Sequence, residues 1–249
     1  MSLTVKSNIM DTGPATAPAR RTYLADYLGS IPYKSALILQ QRLVTARSQG
    51  IIPDVVLLLR HPPVFTVGRF RGKQDIIVPQ QILTQKGIDV VPTTRGGSVT
   101  YHGPGQLIGY PILDLKANGI GIRQYIGKLE EVTIRLLSTL GIAGHRRTAY
   151  PGGVWVDDGK ICSVGIHVSH HITMHGIALN VNTDLQYFDY INPCGIRGNI
   201  MTSISQVLGY PVEPEAITDA FLDSFSETFG LKHEVGFKQC LDILDAPSG

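Results

Sequence analysis

The 249-residue chain is 43% hydrophobic, 17% charged and 7% aromatic, a composition that supports one large globular domain or two small ones and excludes disorder over the whole chain. Its 22 Lys and Arg against 20 Asp and Glu leave a formal net charge of +2, so it is not a nucleic-acid-coating protein, and an acidic partner must be met by a local patch. No apolar run approaches the roughly 20 residues that cross a bilayer as a helix, and a soluble chain with no nucleic-acid or membrane partner is expected.

Residues 1–21 mix Gly13, Pro14 and Pro18 with Ala and Thr and show no apolar period, which predicts a flexible leader. Its arginines stand only at its end and it carries Asp11, a pattern unlike an organellar transit peptide, so a cytoplasmic location is expected. From Tyr33 to Ser48, Leu37, Leu39, Leu43, Val44 and Arg47 predict a helix with one apolar face, ended by Gly50 and Pro53. Val55–Leu59 is a buried-strand run, and a second strand, Val64–Val67, follows the His61-Pro62-Pro63 turn.

The clearest helix is predicted over Ile122–Leu140, with Ile122, Tyr125, Ile126, Leu129, Thr133, Leu136, Leu137 and Leu140 at spacings of three and four and Gly141 as its stop. Short strands follow at Val154–Val156, Ile161–Val168 and Ile172–Val181, with Asp158-Gly159 as one hairpin turn and Ser169-His170-His171 as another break. A last amphipathic helix opens near Pro214 and carries Ile217, Phe221, Phe225 and Phe229 before Gly230. Strands grouped by turns, rather than alternating with helices, argue for α+β with a mixed or largely antiparallel sheet in a single domain over residues 22–249.

The most unusual segment is Arg95-Gly96-Gly97-Ser98-Val99-Thr100-Tyr101-His102-Gly103-Pro104-Gly105-Gln106. Its glycines let backbone approach a ligand closely, and they equally suit two tight turns flanking a strand over 98–102; it lacks the Gly-Lys-Ser/Thr ending of a phosphate loop. Cys162, Cys194 and Cys240 are an odd set with no disulfide framework and no secretory signal before them, so reduced thiols are expected. Cys194, between Pro193 and Gly195, suits an exposed nucleophile or a small buried hydrophobe, the reading given to Cys162 and Cys240. Lys160, by its position after Asp157-Asp158-Gly159, reads as a solvated charge. His167, His170, His171 and His175 crowd one stretch, but strand alternation sends His167 and His170 to opposite faces and no Cys pair has zinc spacing, so no metal is expected.

Five segments in order resemble the octanoyl-carrier-protein:protein octanoyltransferase family, also called lipoate-protein ligase B: His61–Thr66; Arg95–Gln106; Gly153–Val156 with Gly159-Lys160-Ile161 and Ser163-Val164-Gly165; His175–Asn180; and Asn192-Pro193-Cys194-Gly195-Ile196. The resemblance spans about residues 23–208. It implies the α+β fold of biotin and lipoate ligase catalytic domains, a mixed sheet packed with helices. It also implies Cys194 as acyl acceptor, Lys160 as its acid and base, and substrate-binding segments at Arg95, Gly96, Gly97, Ser98, Val99, Thr100, Tyr101 and His102, at Ser163, Val164 and Gly165, and at Gly176, Ile177 and Ala178.

The implied activity is octanoyl transfer from octanoyl-acyl carrier protein to a lysine of lipoyl domains, in 2-oxoacid dehydrogenases and the glycine cleavage H protein, through a Cys194 thioester, with neither ATP nor metal. Arg69, Arg71 and Lys73 are candidates to receive an acidic carrier, or else a solvated loop. Three rivals stand beside it: an ATP-dependent ligase on the same fold, a catalytically silent acyl- or lipoyl-domain-binding module, and a cysteine hydrolase using His175 and Asn180.

Overall fold

The computed structural model describes residues 21–70, 73–192 and 200–245. The chain begins with strand β1 (Thr22–Ser30), crosses through helix α1 (Tyr33–Ser48) and returns as β2 (Asp54–Arg60), parallel to β1. Strand β3 (Val64–Val67), helix α2 (Gln80–Gln85), β4 (Asp89–Pro92) and β5 (Val99–His102) follow, then β6 (Gln106–Ile112) and the long helix α3 (Ile122–Thr139). Next come β7 (His145–Arg146), β8 (Gly153–Val156), β9 (Gly159–Ser169), β10 (Ile172–Asn180), α4 (Ile204–Leu208), a 3-10 turn at Pro214–Ile217, α5 (Thr218–Phe229), β11 (Lys232–Glu234) and α6 (Phe237–Asp245).

Among the described residues, eight strands form one mixed sheet in the order β11-β1-β2-β6-β10-β9-β8-β7, and β4-β3-β5 form a separate three-stranded sheet. The large sheet is parallel across β11-β1-β2 and antiparallel from β2 to β7, as an α+β chain implies. Strand β3 therefore does not continue the sheet that β2 starts; its partners are β4, parallel, and β5, antiparallel.

Side-chain alternation along β2 explains the three-layer arrangement. Val56 and Leu58 join one core with Tyr125, Leu129, Val132, Leu136 and Leu137 of α3 and Phe221, Leu222 and Phe225 of α5. Val55, Leu57 and Leu59 join the other with Ala36, Leu43 and Ala46 of α1 and Phe237 and Cys240 of α6. Both faces are covered, which is why β2 reads as an unbroken apolar run rather than an alternating one. Each fully buried Leu, Val or Phe contributes about 1.5–3 kcal/mol of burial free energy.

Helix α3 starts where the Gln124 side chain accepts the Gly121 N–H at 2.9 Å, half of a capping box, and stops at Gly141, whose φ is 72°. Ile122, expected on its apolar face, is exposed: it is the first residue of the helix, whose buried face begins at Tyr125. The buried face of α1 differs from the expected Leu37-Leu39-Leu43-Val44-Arg47 stripe: Tyr33, Ala36, Gln40, Leu43 and Ala46 are buried, while Leu37, Leu39 and Val44 are half-buried at its margins. Two alanines let the helix lie close on the sheet, and the Gln40 side chain accepts the His175 N–H at 2.8 Å.

That last bond marks an irregularity in β10. His175 has φ 60°, and the β6–β10 ladder, which pairs Ile177 with Gly109 through Asn180 with Gln106, is interrupted there. It resumes in the same register where the Thr173 N–H meets the Leu113 carbonyl at 2.9 Å. Pro111 stands in the gap, its carbonyl turned toward β10 and accepting the Thr173 hydroxyl at 2.7 Å. A proline has no N–H to offer a neighbouring strand, and the kink removes the partner that would have needed one. In the gap the backbones nearly touch, and a Cβ on Gly176 would sit 2.1 Å from the Gly109 carbonyl oxygen.

Both tight hairpins use two-residue turns. His170 and His171 take φ 50° and 68° between the paired Ser169 and Ile172, so they form the two-residue turn. The β8–β9 turn is Asp157–Asp158, with Asp157 at φ 47° and Gly159 already paired with Val156; it lies one residue earlier than the Asp158-Gly159 expectation, because Asp tolerates the left-handed region.

Candidate active site

A pocket of about 360 Å³ opens between the Arg95–His102 segment, β9 and the kinked part of β10, a volume typical of small-ligand sites. Its walls include Arg95, Gly96, Gly97, Ser98, Val99, Thr100 and His102; Ser163, Val164 and Gly165; Gly176, Ile177 and Ala178; and Lys160. Ile126, Ile166 and Phe70 add apolar surface. The structure thus brings three separated sequence segments and Lys160 to one cavity.

Tyr101 is the exception among the candidates. Its side chain lies on the opposite face of β5, stacked on Tyr187 at 4.6 Å and edge-on to Phe65 and Phe188, and it belongs to the core of the small sheet. Strand alternation dictates this: once Thr100 and His102 face the pocket, Tyr101 faces away.

Residues 95–98 are held as a rigid wall. The Gly96 N–H donates to the Ile166 carbonyl at 3.0 Å, docking the turn on β9. Gly68, Arg69 and Phe70 donate backbone N–H groups to Ser98, Arg95 and Gly97 at 3.0, 3.1 and 3.2 Å. The buried Arg95 guanidinium donates to the Thr66 carbonyl at 2.6 Å, to its hydroxyl at 2.8 and 3.2 Å, and to the Gly96 carbonyl at 3.0 Å. The Ser98 hydroxyl donates to the buried Asp75 carboxylate, while the Asp75 carbonyl accepts the Asn192 N–H at 2.7 Å. Thr66, Asp75 and Asn192 are supports that residue types alone did not single out.

Behind the wall three histidines are buried and neutral. His61 is pushed down to about 4 by burial, against a backbone hydrogen bond to Ile31. Its Nδ1–H donates to the Ile31 carbonyl at 2.6 Å, leaving Nε2 to accept the Tyr110 hydroxyl at 2.9 Å. His102 lies well below its ordinary value, through burial first and then the His61 and Arg95 charges. Its tautomer follows from its neighbours: Gln106 donates its amide to Asn180 Oδ1 at 2.9 Å and to the Tyr101 carbonyl at 3.3 Å. Gln106 Oε1 therefore accepts at 2.9 Å from His102 Nδ1–H. His175 is lowered to about 3, by burial first and then Arg95, and its Nε2 meets the Thr94 and Thr93 hydroxyls at 3.1 and 3.3 Å.

The His175–Asn180 pair of a cysteine hydrolase is not assembled, since the Asn180 amide is engaged by Gln106 and by the Thr202 carbonyl at 3.0 Å. Among the described residues no group of three His, Cys, Asp or Glu is placed to hold a metal ion.

Lys160 is not the solvated surface charge that its turn context suggests. It opens β9 half-buried, and the β8–β9 register shifts between Val154 and Trp155, which pair with Cys162 and Lys160. Such a bulge re-aims a side chain. The Lys160 stem runs across Gly153: a Cβ there would lie 2.4 Å from Lys160 Cε and 3.1 Å from Nζ. Its backbone is held on the other side, N–H to the Ile200 carbonyl at 2.6 Å and carbonyl from the Thr202 N–H at 3.1 Å.

Cys194 lies in residues 193–199, outside the described residues, as do Arg71 and the side chain of Lys73. The two residues flanking that segment are both tied to the site, Asn192 through Asp75 and Ile200 through Lys160. Cys162 and Cys240 are free and buried; burial pushes the Cys162 thiol up to about 12, which makes it inert.

The lipoyl protein ligase A/B catalytic domain family matches residues 32–226, and the chain belongs to that family. It is 41% identical over 209 residues, 84% of this chain and 91% of the relative, to an octanoyltransferase of Desulforamulus reducens. In fold it is similar to a bi-partite lipoate protein ligase of Thermoplasma acidophilum, solved in a study of that ligase and its E2 lipoyl domain, with a TM-score of 0.67 at 15% identity over 91% of this chain and 92% of that one. It is also similar to a biotin protein ligase of Aquifex aeolicus in complex with biotin and ATP, with a TM-score of 0.51 at 16% identity over 83% and 70% of the two chains.

Proposed function

We propose that the protein is an acyltransferase that moves an octanoyl group from octanoyl-acyl carrier protein to a lysine of lipoyl domains, the first step of endogenous lipoate biosynthesis and protein lipoylation, through a thioester on Cys194. The observation that carries this reading is the position of Lys160: an amine on the wall of an apolar-lined pocket, its own backbone bonded to Ile200, six positions beyond Cys194 in the chain. The curated relative's activity, octanoyl transfer, supplies the acyl group that fits such a pocket.

In the first half-reaction the Cys194 thiolate attacks the thioester carbonyl, a tetrahedral intermediate forms, and the carrier's thiolate leaves. Lys160, as ammonium, favours the Cys194 thiolate and then protonates the departing sulfur. In the second, neutral Lys160 takes the proton of the incoming lysine amine, the amine attacks the new thioester, and the amide leaves as Cys194 thiolate is restored. Each step trades one acyl bond for another, so neither ATP nor a metal ion is needed. Ile126, Val164, Ile166, Ile177 and Ala178 offer apolar surface for the chain; burying seven carbons at about 0.8 kcal/mol each gives roughly 5–6 kcal/mol. A single methylene shifts the preference by only about 1–3 kcal/mol.

The acceptors are the lipoyl domains of 2-oxoacid dehydrogenases and the glycine cleavage H protein, with no nucleic-acid or membrane partner. The site works as one cytoplasmic domain from residue 22 onward. No helix among the described residues is long and apolar enough to cross a membrane.

Intact-protein mass spectrometry after mixing with octanoyl-acyl carrier protein, without nucleotide, tests the reading. One added octanoyl group, mapped to Cys194 and discharged by a lipoyl domain, is expected. Strict dependence on ATP would instead favour the ligase reading that the fold also allows, and unchanged turnover by Cys194→Ala would rule out the covalent route.

A further inference from the structure

Glu130 sits on α3 one residue beyond Leu129, in the stripe that runs through Ile126, Thr133 and Leu137 and packs on the sheet. It is buried to 6% exposure, where a carboxylate is costly unless it is fully hydrogen-bonded. Its Oε1 accepts two successive backbone N–H groups, Gly152 at 3.0 Å and Gly153 at 3.1 Å. Its Oε2 accepts Arg146 Nε at 3.1 Å. On the opposite side of the same peptide, the Gly152 carbonyl accepts the Val164 N–H at 2.9 Å. Gly152 lines the pocket beside Lys160, and Gly153 is the surface over which the Lys160 stem passes. The two glycines therefore form a floor gripped from α3 below and from β9 at its edge.

We propose that Glu130 is a positioning residue for the acyl transfer, holding the Gly152–Gly153 floor that fixes where the Lys160 amine stands. This rests on the assignment of Lys160 as acid and base under Proposed function. The carboxylate acts through reach and not through charge: it supplies an acceptor at one point, and Arg146 satisfies its other oxygen while remaining tied to Glu131 at 2.8 Å and the Gly127 carbonyl at 2.9 Å. A glutamine would keep an oxygen for the two glycine N–H groups without the charge, while its NH2 would face the Arg146 Nε–H and lose that one bond. The glycine floor stays held, and Arg146 stays tied to Glu131 and Gly127. An aspartate would keep the charge but withdraw it from the glycines by about one carbon–carbon bond.

The experiment compares Glu130→Gln, Glu130→Asp and Glu130→Ala with the parent protein, reading kcat and KM for octanoyl-acyl carrier protein with a lipoyl domain as acceptor, and Tm. Expected are a kcat reduced about a hundredfold in the Asp and Ala variants, the scale of a 1 Å misplacement, with KM changed less than about threefold, and a Gln variant within about fivefold of the parent. Tm separates folding from positioning: the kcat loss is measured on variants at temperatures where each is folded. The proposal is overturned if Asp retains activity while Gln loses it, if all three match the parent, or if KM rather than kcat carries the loss. A parent protein that forms no octanoyl thioester would refute the transfer mechanism itself, an outcome visible before any variant is made.

Discussion

The three histidines behind the pocket make folding stability depend on pH. Each ring titrates near its ordinary value of about 6.5 in the unfolded chain, whereas in the folded protein His61 is held down to about 4, His175 to about 3, and His102 well below its ordinary value. The unfolded state therefore binds protons first as pH falls, and folding stability declines below about pH 6.5, one proton per ring, until the folded values are reached. Between about pH 7.5 and about pH 5.5 each ring costs roughly a factor of ten in the folding equilibrium, and three together cost about a thousandfold, on the order of 4 kcal/mol. That is a large share of the 5–15 kcal/mol or so that a folded protein commands. Urea unfolding at the two pH values measures it, and the variant His61→Asn, which keeps a donor for the Ile31 carbonyl but does not titrate, should shrink the pH effect about tenfold. A decline below about 1 kcal/mol, or one unaltered by His61→Asn, would show that the rings are not held neutral by burial.

Gly153→Ala would set a methyl against the flexible Lys160 stem and 3.0 Å from the Cys162 carbonyl oxygen, so it should lower Tm while the chain still folds, and lower turnover about a hundredfold by displacing the amine; steady-state rates at a temperature where circular dichroism shows the variant folded check this. Tyr101→Ala should destabilise by about 3–5 kcal/mol, as for a buried aromatic, while acyl-carrier KM in the folded fraction stays near the parent value; a large KM change would return Tyr101 to the pocket. Ser98→Ala takes a donor from the buried Asp75 carboxylate and should cost about 1–3 kcal/mol, with the Asp75→Ala/Ser98→Ala pair losing less than the sum of the single variants. Denaturant midpoints of all three decide it.

The elements that sequence reveals are those whose burial is repetitive. Helix α3 repeats apolar residues at a fixed period and strands β2, β8, β9 and β10 are dense apolar runs between turn residues, and their observed bounds fall within two residues of expectation. Strand β6 was not legible, because Gly109 and Pro111 argue against a central strand until the kink at His175 is seen to excuse the proline. Glu130 was hidden for the converse reason: one acid in an apolar stripe looks like a solvated margin, and only the fold brings the Gly152 and Gly153 amides to it. Likewise the Arg95–His102 segment announced a close approach of backbone, but the choice between turns and pocket wall needed β9, seventy residues later, to stand against it. Gln40 on α1 carries no sequence signal of its task; its partner is an N–H orphaned by a kink far along the chain.

The interrupted ladder between β6 and β10 also decides what the chain cannot become. Sliding β10 by two residues along β6 would set Pro111 against an intact stretch of backbone that needs a donor, and would carry the His175 amide away from Gln40. Slippage in the middle of the sheet is thus blocked by main-chain chemistry, so side chains on the cavity floor are free to change with the acyl group they meet while the alignment beneath them stays put.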